Sequence, residues 1–234
     1  AAGMGRLRWT TDASVVSDPP EKSAGEGEDG WLMRWLAPVL TSAKRELKIV
    51  SPYFIPGEMG TRQLATLAEN GVAVSVLTNS LAATDVAAVH GAYARYRKPL
   101  LDQGIQIFEL KPDDERTDIS LFGSKSASLH TKAFVADGSA GFVGSFNFDP
   151  RSASLNTEMG VLFRQEELAR EVEQVITAQT SPGASFRVTL EDGALRWSDM
   201  ASNRRRELKH EPQASLRRRL VAKIIAWLPI ESQL

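Results

Sequence analysis

Apolar positions in this 234-residue chain change their period several times. From Trp31 they fall at Trp31, Leu32, Trp35, Leu36, Val39, Leu40, Ala43 and Leu47, which is helical spacing, and Pro38 inside the run predicts a kink or a boundary. Residues 48–54 (KIVSPYF) predict a buried strand, followed by a helix over 61–69 that stops at Asn70-Gly71. The pattern then repeats with a strand over 72–77, a helix over 84–101 and a strand over 105–110. Residues 129–136 and 141–146 flank Asp137-Gly138, a hairpin signal, and 158–163 with 165–179 add a strand and a helix. Strand–helix alternation of this kind implies an α/β fold with a mixed, largely parallel sheet flanked by helices.

The ends have a different texture. Residues 6–16 predict one strand, and 17–30 (SDPPEKSAGEGEDG) are rich in Pro, Gly and acids, as a linker or mobile loop is. Residues 111–125 are polar and predict a loop. Beyond 181–183 (SPG), the stretch FRVTLEDGALRWSD predicts two strands around an Asp-Gly turn. The tail predicts a short helix with an apolar stripe of Leu216, Leu220, Ile224, Ile225 and Leu228, and with Arg217, Arg218, Arg219 and Lys223 on other faces. The expected organisation is therefore an N-terminal strand and acidic linker (1–30), an α/β domain (31–183), and a hairpin with a basic amphipathic helix (184–234).

Composition narrows the chemistry. At 42% hydrophobic and 24% charged residues, with a formal net charge of −1, the chain is an ordinary globular protein with no overall pull toward nucleic acid, and no nucleic-acid partner is expected. The charge is uneven: residues 203–223 hold eight basic and two acidic side chains, a local excess of about +6 suited to anionic lipid headgroups. There is no cysteine, which excludes thiolate nucleophiles and Cys-ligated metals. No apolar run reaches the ~18 residues of a membrane span. The opening AAGMGRLRW carries no signal pattern and is expected to be an internal start.

One stretch concentrates reactive side chains: LHTKAFVADGSAGFVGSFN, from Leu129 to Asn147. On a strand, His130 and Lys132 share a face while Leu129, Thr131, Ala133 and Val135 take the other, so one face is buried and an imidazole and an ammonium stand together on the other. A cation two residues from the only candidate ligand disfavours a metal, and no metal or other cofactor is expected. The pair suits an anion: Lys132 can neutralise a phosphate oxygen, and His130 can attack phosphorus or move a proton. Ser145 and Asn147, at the end of the next strand, add neutral donors for the phosphate. Glu158 opens an apolar strand and would be costly to bury without a partner, so it is expected to hold the His130 ring. Tyr53 and His90 are candidates for the site wall.

His130, Lys132, Asp137, Gly144, Ser145 and Asn147 fit H-x-K-x4-D-x6-G-S-x-N, which resembles the HKD signature of the phospholipase D superfamily. At average residue frequencies six such positions coincide by chance on the order of once in a million. The stretches IVSPYFIPG, ELKP, FNFDPRSASLNTEMG and LPIE extend the resemblance to the second half of bacterial cardiolipin synthases of the C-type branch. The resemblance implies a metal-independent phosphatidyl transfer through a phosphohistidine. It makes phosphatidylglycerol and a second phospholipid the substrates, with His130, Lys132, Asp137 and Glu158 as the catalytic set. In that family Asp137 mostly supports structure.

Such synthases carry two motifs, and this chain has one, since neither His90 nor His210 begins a second copy. The resemblance therefore implies half an enzyme, inactive alone, that faces an N-terminal HKD half of the same protein or a second copy. It also implies a peripheral place on the cytoplasmic face of the inner membrane, for which the basic C-terminal helix is the expected contact, the fragment itself being soluble. A phospholipase D-type hydrolase, a homodimeric single-motif nuclease and a non-enzymatic docking half-domain share the motif. The near-neutral core argues against the nuclease.

Overall fold

The computed structural model describes residues 10–112, 129–201 and 204–227. In chain order the elements are β1 (Ala13–Ser17), α1 (Met33–Thr41), β2 (Glu46–Val50), α2 (Gly57–Glu69), β3 (Ala73–Asn79), α3 (Ala87–Asp102), β4 (Gln106–Leu110), β5 (Lys132–Ala136), β6 (Ala140–Gly144), α4 (Pro150–Ser154), β7 (Met159–Phe163), α5 (Glu166–Gln179), β8 (Ser185–Glu191), β9 (Ala194–Ala201), β10 (Arg204–Leu208) and α6 (Leu216–Ile225). The strands form one sheet in the order β1-β7-β6-β5-β2-β3-β4-β8-β9-β10. On one face α1, α2 and α3 bring Leu36, Leu64, Tyr93 and Leu100 to a core with Leu47, Ile49, Val76, Phe134 and Phe142. On the other, α5 brings Ala169 and Ile176 to Val50, Leu77, Val135 and Phe163. The central strands are covered on both sides, which is why their sequences run apolar without alternation.

The mixed α/β class is as expected, but the balance of pairings is not. Parallel ladders join β2 to β3 and β3 to β4, while the other ladders among the described strands are antiparallel. An apolar run does not record the direction of its neighbour. The tight turn from β5 to β6 permits only an antiparallel return. Pro38 is accommodated inside α1. Residues 184–201 form the expected hairpin, and β8 joins it to β4, so this segment continues the main sheet. The loop expected over 111–125 lies almost wholly outside the described residues, as does Leu228. None of the described helices is long and apolar enough to cross a membrane.

The segment 17–30 is not a free linker. It contains two short 3-10 turns, Pro20–Ala24 and Glu28–Gly30, and Lys22 is fully buried. The Lys22 ammonium donates to Asp18 Oδ2 and to the Ser152 carbonyl, each at 2.7 Å. Asp18 also accepts from the backbone N–H groups of Leu32 (2.6 Å) and Glu158 (2.8 Å). Composition shows the turn-forming residues here, but not the one cation whose partner lies 130 positions away.

Two further polar anchors fix the sheet. Asp137 turns the β5–β6 hairpin in the left-handed region (φ 53). Its carboxylate accepts from the backbone N–H groups of Lys44 (2.9 Å), Arg45 (2.8 Å) and Glu46 (3.0 Å). Burial pushes this carboxyl up, but the three donors overcome it and hold the pKa below the ordinary value. Across the sheet, the buried Glu109 accepts from Tyr93 Oη (3.1 Å), Arg97 Nη1 (3.1 Å) and Trp197 Nε1 (2.8 Å). Arg97 Nη2 reaches Glu211 at 2.6 Å. Burial pushes the Glu211 carboxyl up, yet Arg97 and His90 hold it down at about 2.

Replacing Lys22 with Ala leaves Asp18 buried without its counter-ion, held only by two backbone N–H groups, and is expected to cost about 3–5 kcal/mol, read as a lower denaturant midpoint. Asp137→Ala is expected to cost about 1–3 kcal/mol. Because the folded-state pKa of Glu211 is depressed to about 2, its stabilisation is complete above the ordinary carboxylate range. It is lost as pH falls toward 2, and Glu211→Gln should remove that part of the acid sensitivity in a melting-temperature-versus-pH series.

Candidate functional site

One end of the sheet gathers the reactive side chains. The chain enters β5 there, leaves β6, enters β7, and leaves β2 and β3, so His130, Ser145, Asn147, Glu158 and Tyr53 converge on a single edge. The strand expected over 129–136 becomes regular only at Lys132, and His130 precedes it as an exposed residue. Its position is set by Asn79 at the end of β3: Leu129 N–H donates to Asn79 Oδ1 at 3.0 Å, and Asn79 Nδ2 donates to the Leu129 carbonyl at 3.4 Å.

Lys132 is 8% exposed, so the expected solvated face exists only at His130. Farther along the same face, Phe134 and Ala136 are in the core. Lys132, Gly144 and Gly160 lie side by side across three strands. A Cβ at Gly144 or Gly160 would collide with the Phe142 ring, so glycine there lets the ring close under the row and leaves the lysine as its one side chain. The Lys132 ammonium donates to the His130 carbonyl at 2.9 Å. Burial lowers its pKa, and the carboxylates of Glu158, Asp149 and Asp85 oppose that shift.

Glu158 is buried, and its carboxylate has partners. Ser145 Oγ donates to Oε2, and Ser152 Oγ donates to Oε1 at 2.8 Å. These bonds run to the two serines, whereas the His130 ring was the expected partner. Ser145 in turn accepts from Met159 N–H at 3.0 Å. A hydroxyl has one proton, and that of Ser145 has two acceptors within reach, Glu158 Oε2 and the Met159 carbonyl at 3.3 Å, so in this arrangement Ser145 holds the carboxylate and does not stand free as a donor. Asn147 N–H donates to Ser152 Oγ at 3.3 Å, and its side-chain Oδ1 is buried with no hydrogen-bond partner among the described residues. Asp149 caps α4 through Ser152 N–H at 2.7 Å. Burial pushes the Asp149 carboxyl up against those Ser152 bonds, and the Glu158 charge adds to the rise. Below, Glu158 N–H is tied to Asp18, and the Ser152 carbonyl to Lys22.

The wall candidates part ways. Tyr53 stands at the edge, half-buried, and donates to Asp85 Oδ1 at 2.8 Å. Burial, then the Asp85 carboxylate, pushes its pKa up to about 12. His90 is 3% exposed and lies behind the edge, with Nε2 3.4 Å from Glu211 Oε2 and its ring against Tyr93, so it is no part of a surface that a substrate reaches. His90, Glu109 and Glu211 bring ligand-type atoms within 4.8 Å of one another, but the Arg97 guanidinium pairs with both carboxylates and supplies the positive charge that a metal would bring. Asp137 is at the other end of β5, roughly 16 Å along the strand from Lys132, and holds backbone, so it leaves the catalytic set.

Sequence reasoning missed Asp18, Lys22, Asn79, Asp85, Asp149 and Ser152. For Asp149 and Ser152 a signal was available, since Asp-Pro-x-Ser is an N-cap with proline at the first helical position. The others act through contacts distant in sequence.

The arrangement offers one exposed imidazole and a buried ammonium on the same chain turn, backed by a carboxylate that accepts one hydroxyl on each oxygen, a set that can bind an oxyanion and carry a proton. Residues 36–179 match the family model described as cardiolipin synthase, PLD-like domain. Cardiolipin synthase C of Escherichia coli is 39% identical over 93% of this chain and 47% of its own length. The chain thus spans about half of that relative. Among solved structures, the phosphatidylserine synthase of Haemophilus influenzae superposes with a TM-score of 0.56 at 17% identity, over 91% of this chain and 44% of that one. Nuc, a phospholipase D family member from Salmonella typhimurium, gives 0.52 at 19% identity, over 71% and 93%. At these identities the two structures speak for the fold, and the match over residues 36–179 settles the rest: the chain belongs to the PLD-like domain family of the cardiolipin synthases.

Proposed function

We propose that this chain is the second half of a phosphatidyl transferase that makes cardiolipin from phosphatidylglycerol and a second phospholipid, working peripherally at the cytoplasmic face of a bacterial inner membrane. The observation that carries this reading is the solitary exposed imidazole at the sheet edge, set beside Lys132 in a chain half as long as its cardiolipin synthase relative. His90 is buried in an ion-pair network, so a second histidine has to come from outside this edge.

In the proposed sequence the facing histidine attacks phosphorus. The P–O bond to the leaving alcohol breaks as His130 gives that oxygen its proton. His130 then takes the proton of the acceptor hydroxyl, whose oxygen attacks the phosphohistidine; the P–O bond forms as the P–N bond breaks. Lys132 and Asn147 lie on the phosphate. Glu158 acts at one remove: with both serines it keeps the loop after β6 and the start of β7 in register beside His130. No step calls for a metal or other cofactor. A hydrolase would use the same residues with water as acceptor, and the ratio of cardiolipin to phosphatidic acid in the products separates the two.

In the full-length protein, His130→Ala is expected to lower transfer by roughly 10²–10⁴-fold without shifting the unfolding midpoint, because His130 is exposed. Wild-type turnover in that variant would overturn the assignment. Acid-trapping the covalent intermediate and mapping it should place the phosphoryl group outside this chain; an adduct on His130 would reverse the roles of the two histidines. The 234-residue chain by itself should give no transfer, and robust transfer by its monomer would refute the half-enzyme reading.

A further inference from the structure

Helix α6 is mounted with its apolar stripe facing away from the core. Leu216 is 81% exposed, Leu220 60%, Ile224 54% and Trp227, just past the helix end, 87%. At 100° per residue these four fall within an arc of about 80°. Two of the arginines expected on other faces than the stripe, Arg218 and Arg219, turn inward. Arg218 Nη2 donates to the Thr84 carbonyl, and Arg219 Nη2 to the Glu211 carbonyl at 2.7 Å. Ala222, 6% exposed, lies between them on the buried side. A Cβ at Gly91 of α3 would sit 2.7 Å from the Ala222 carbonyl, so the helix is seated too closely to rotate in place. Arg95 Nε further fixes its end through the Ala226 carbonyl at 2.6 Å.

The margins of the exposed arc are charged. Lys223 lies about 20° before it and Arg217 about 20° after it, and both are exposed. An apolar stripe bordered on both sides by cations, with a tryptophan at its end, has the charge and polarity profile of an interfacial helix: the stripe enters the acyl boundary while the cations stay at headgroup depth. At ten residues, about 15 Å, the helix is far too short to span a bilayer. Its N-terminal turn grips the loop after β3 through the Ala82 and Thr84 carbonyls, and the next residue, Asp85, accepts from Tyr53 at the site edge.

We propose that the outward face of α6 docks on an anionic phospholipid bilayer and holds the site edge against the lipid surface. The phosphatidyl-transfer reading supplies the purpose of this docking, and the docking itself is measured without turnover. The test is co-sedimentation of the chain with phosphatidylglycerol/phosphatidylethanolamine vesicles and with pure phosphatidylcholine vesicles. Binding to the anionic vesicles is expected, weakening as salt rises, with a loss of about tenfold or more in Leu220→Glu/Ile224→Glu. Arg217→Glu/Lys223→Glu should lose binding to the anionic vesicles only. Unchanged binding in these variants would overturn the proposal, as would a wild-type dimer that the apolar variant dissolves without changing vesicle binding, which would assign the face to a second copy. If the apolar variant melts early, the charge variant decides. Full-length protein that binds vesicles through α6 but transfers nothing would sink the functional reading alone.

Discussion

A carboxylate taken out of water must be met by donors, and at Glu158 that requirement organises everything around the site. Its two oxygens take the hydroxyl protons of Ser145 and Ser152. Those serines sit on the two arms of the excursion between β6 and β7, so satisfying one charge fixes both arms. The same charge stands close enough to Lys132 to oppose the loss of proton affinity that burial imposes on it. Were Glu158 unsatisfied, the loop holding Asn147 would lose two of its ties, and Lys132 the nearest charge that supports its own.

The support continues downward into the first residues described. Asp18 accepts from Glu158 N–H, and Lys22 reaches from Asp18 to the Ser152 carbonyl, so the segment before α1 closes under the candidate site edge. Ser51 does the same from the side, accepting from Phe148 N–H at 3.0 Å and tying the loop after β6 to the end of β2. The result is a rigid base beneath a single exposed histidine. Rigidity of this kind suits phosphoryl chemistry, in which catalysis is chiefly positioning and charge stabilisation.

How far this was legible in the sequence depended on the range of each interaction. His130, Lys132 and the Asp137-Gly138 turn were visible because spacing and turn chemistry are local. The mixed α/β class followed from alternating elements, but parallel or antiparallel pairing did not, since period-two patterns are blind to a neighbour's direction. The burial of Glu158 was legible, while its partners were not: a carboxylate announces that it needs donors without naming them. The Pro- and Gly-rich stretch around Lys22 was expected to be a linker or mobile loop, because the Ser152 carbonyl that anchors it lies 130 positions away. In α6 the stripe was legible and its orientation was not, because Arg218 and Arg219 turn inward to reach backbone carbonyls.

The proposed function requires that His130 and Lys132 form one oxyanion-binding wall on a base that does not have to move. The direct measurement is an NMR titration of the assigned His130 ring with orthovanadate, an analogue of the transferring phosphoryl group. The account predicts saturable shifts at His130 that Lys132→Met abolishes, with His90 and the amide signals of Ser145 and Ser152 unmoved. Shifts centred on His90, or shifts at His130 that persist unchanged without Lys132, would contradict it.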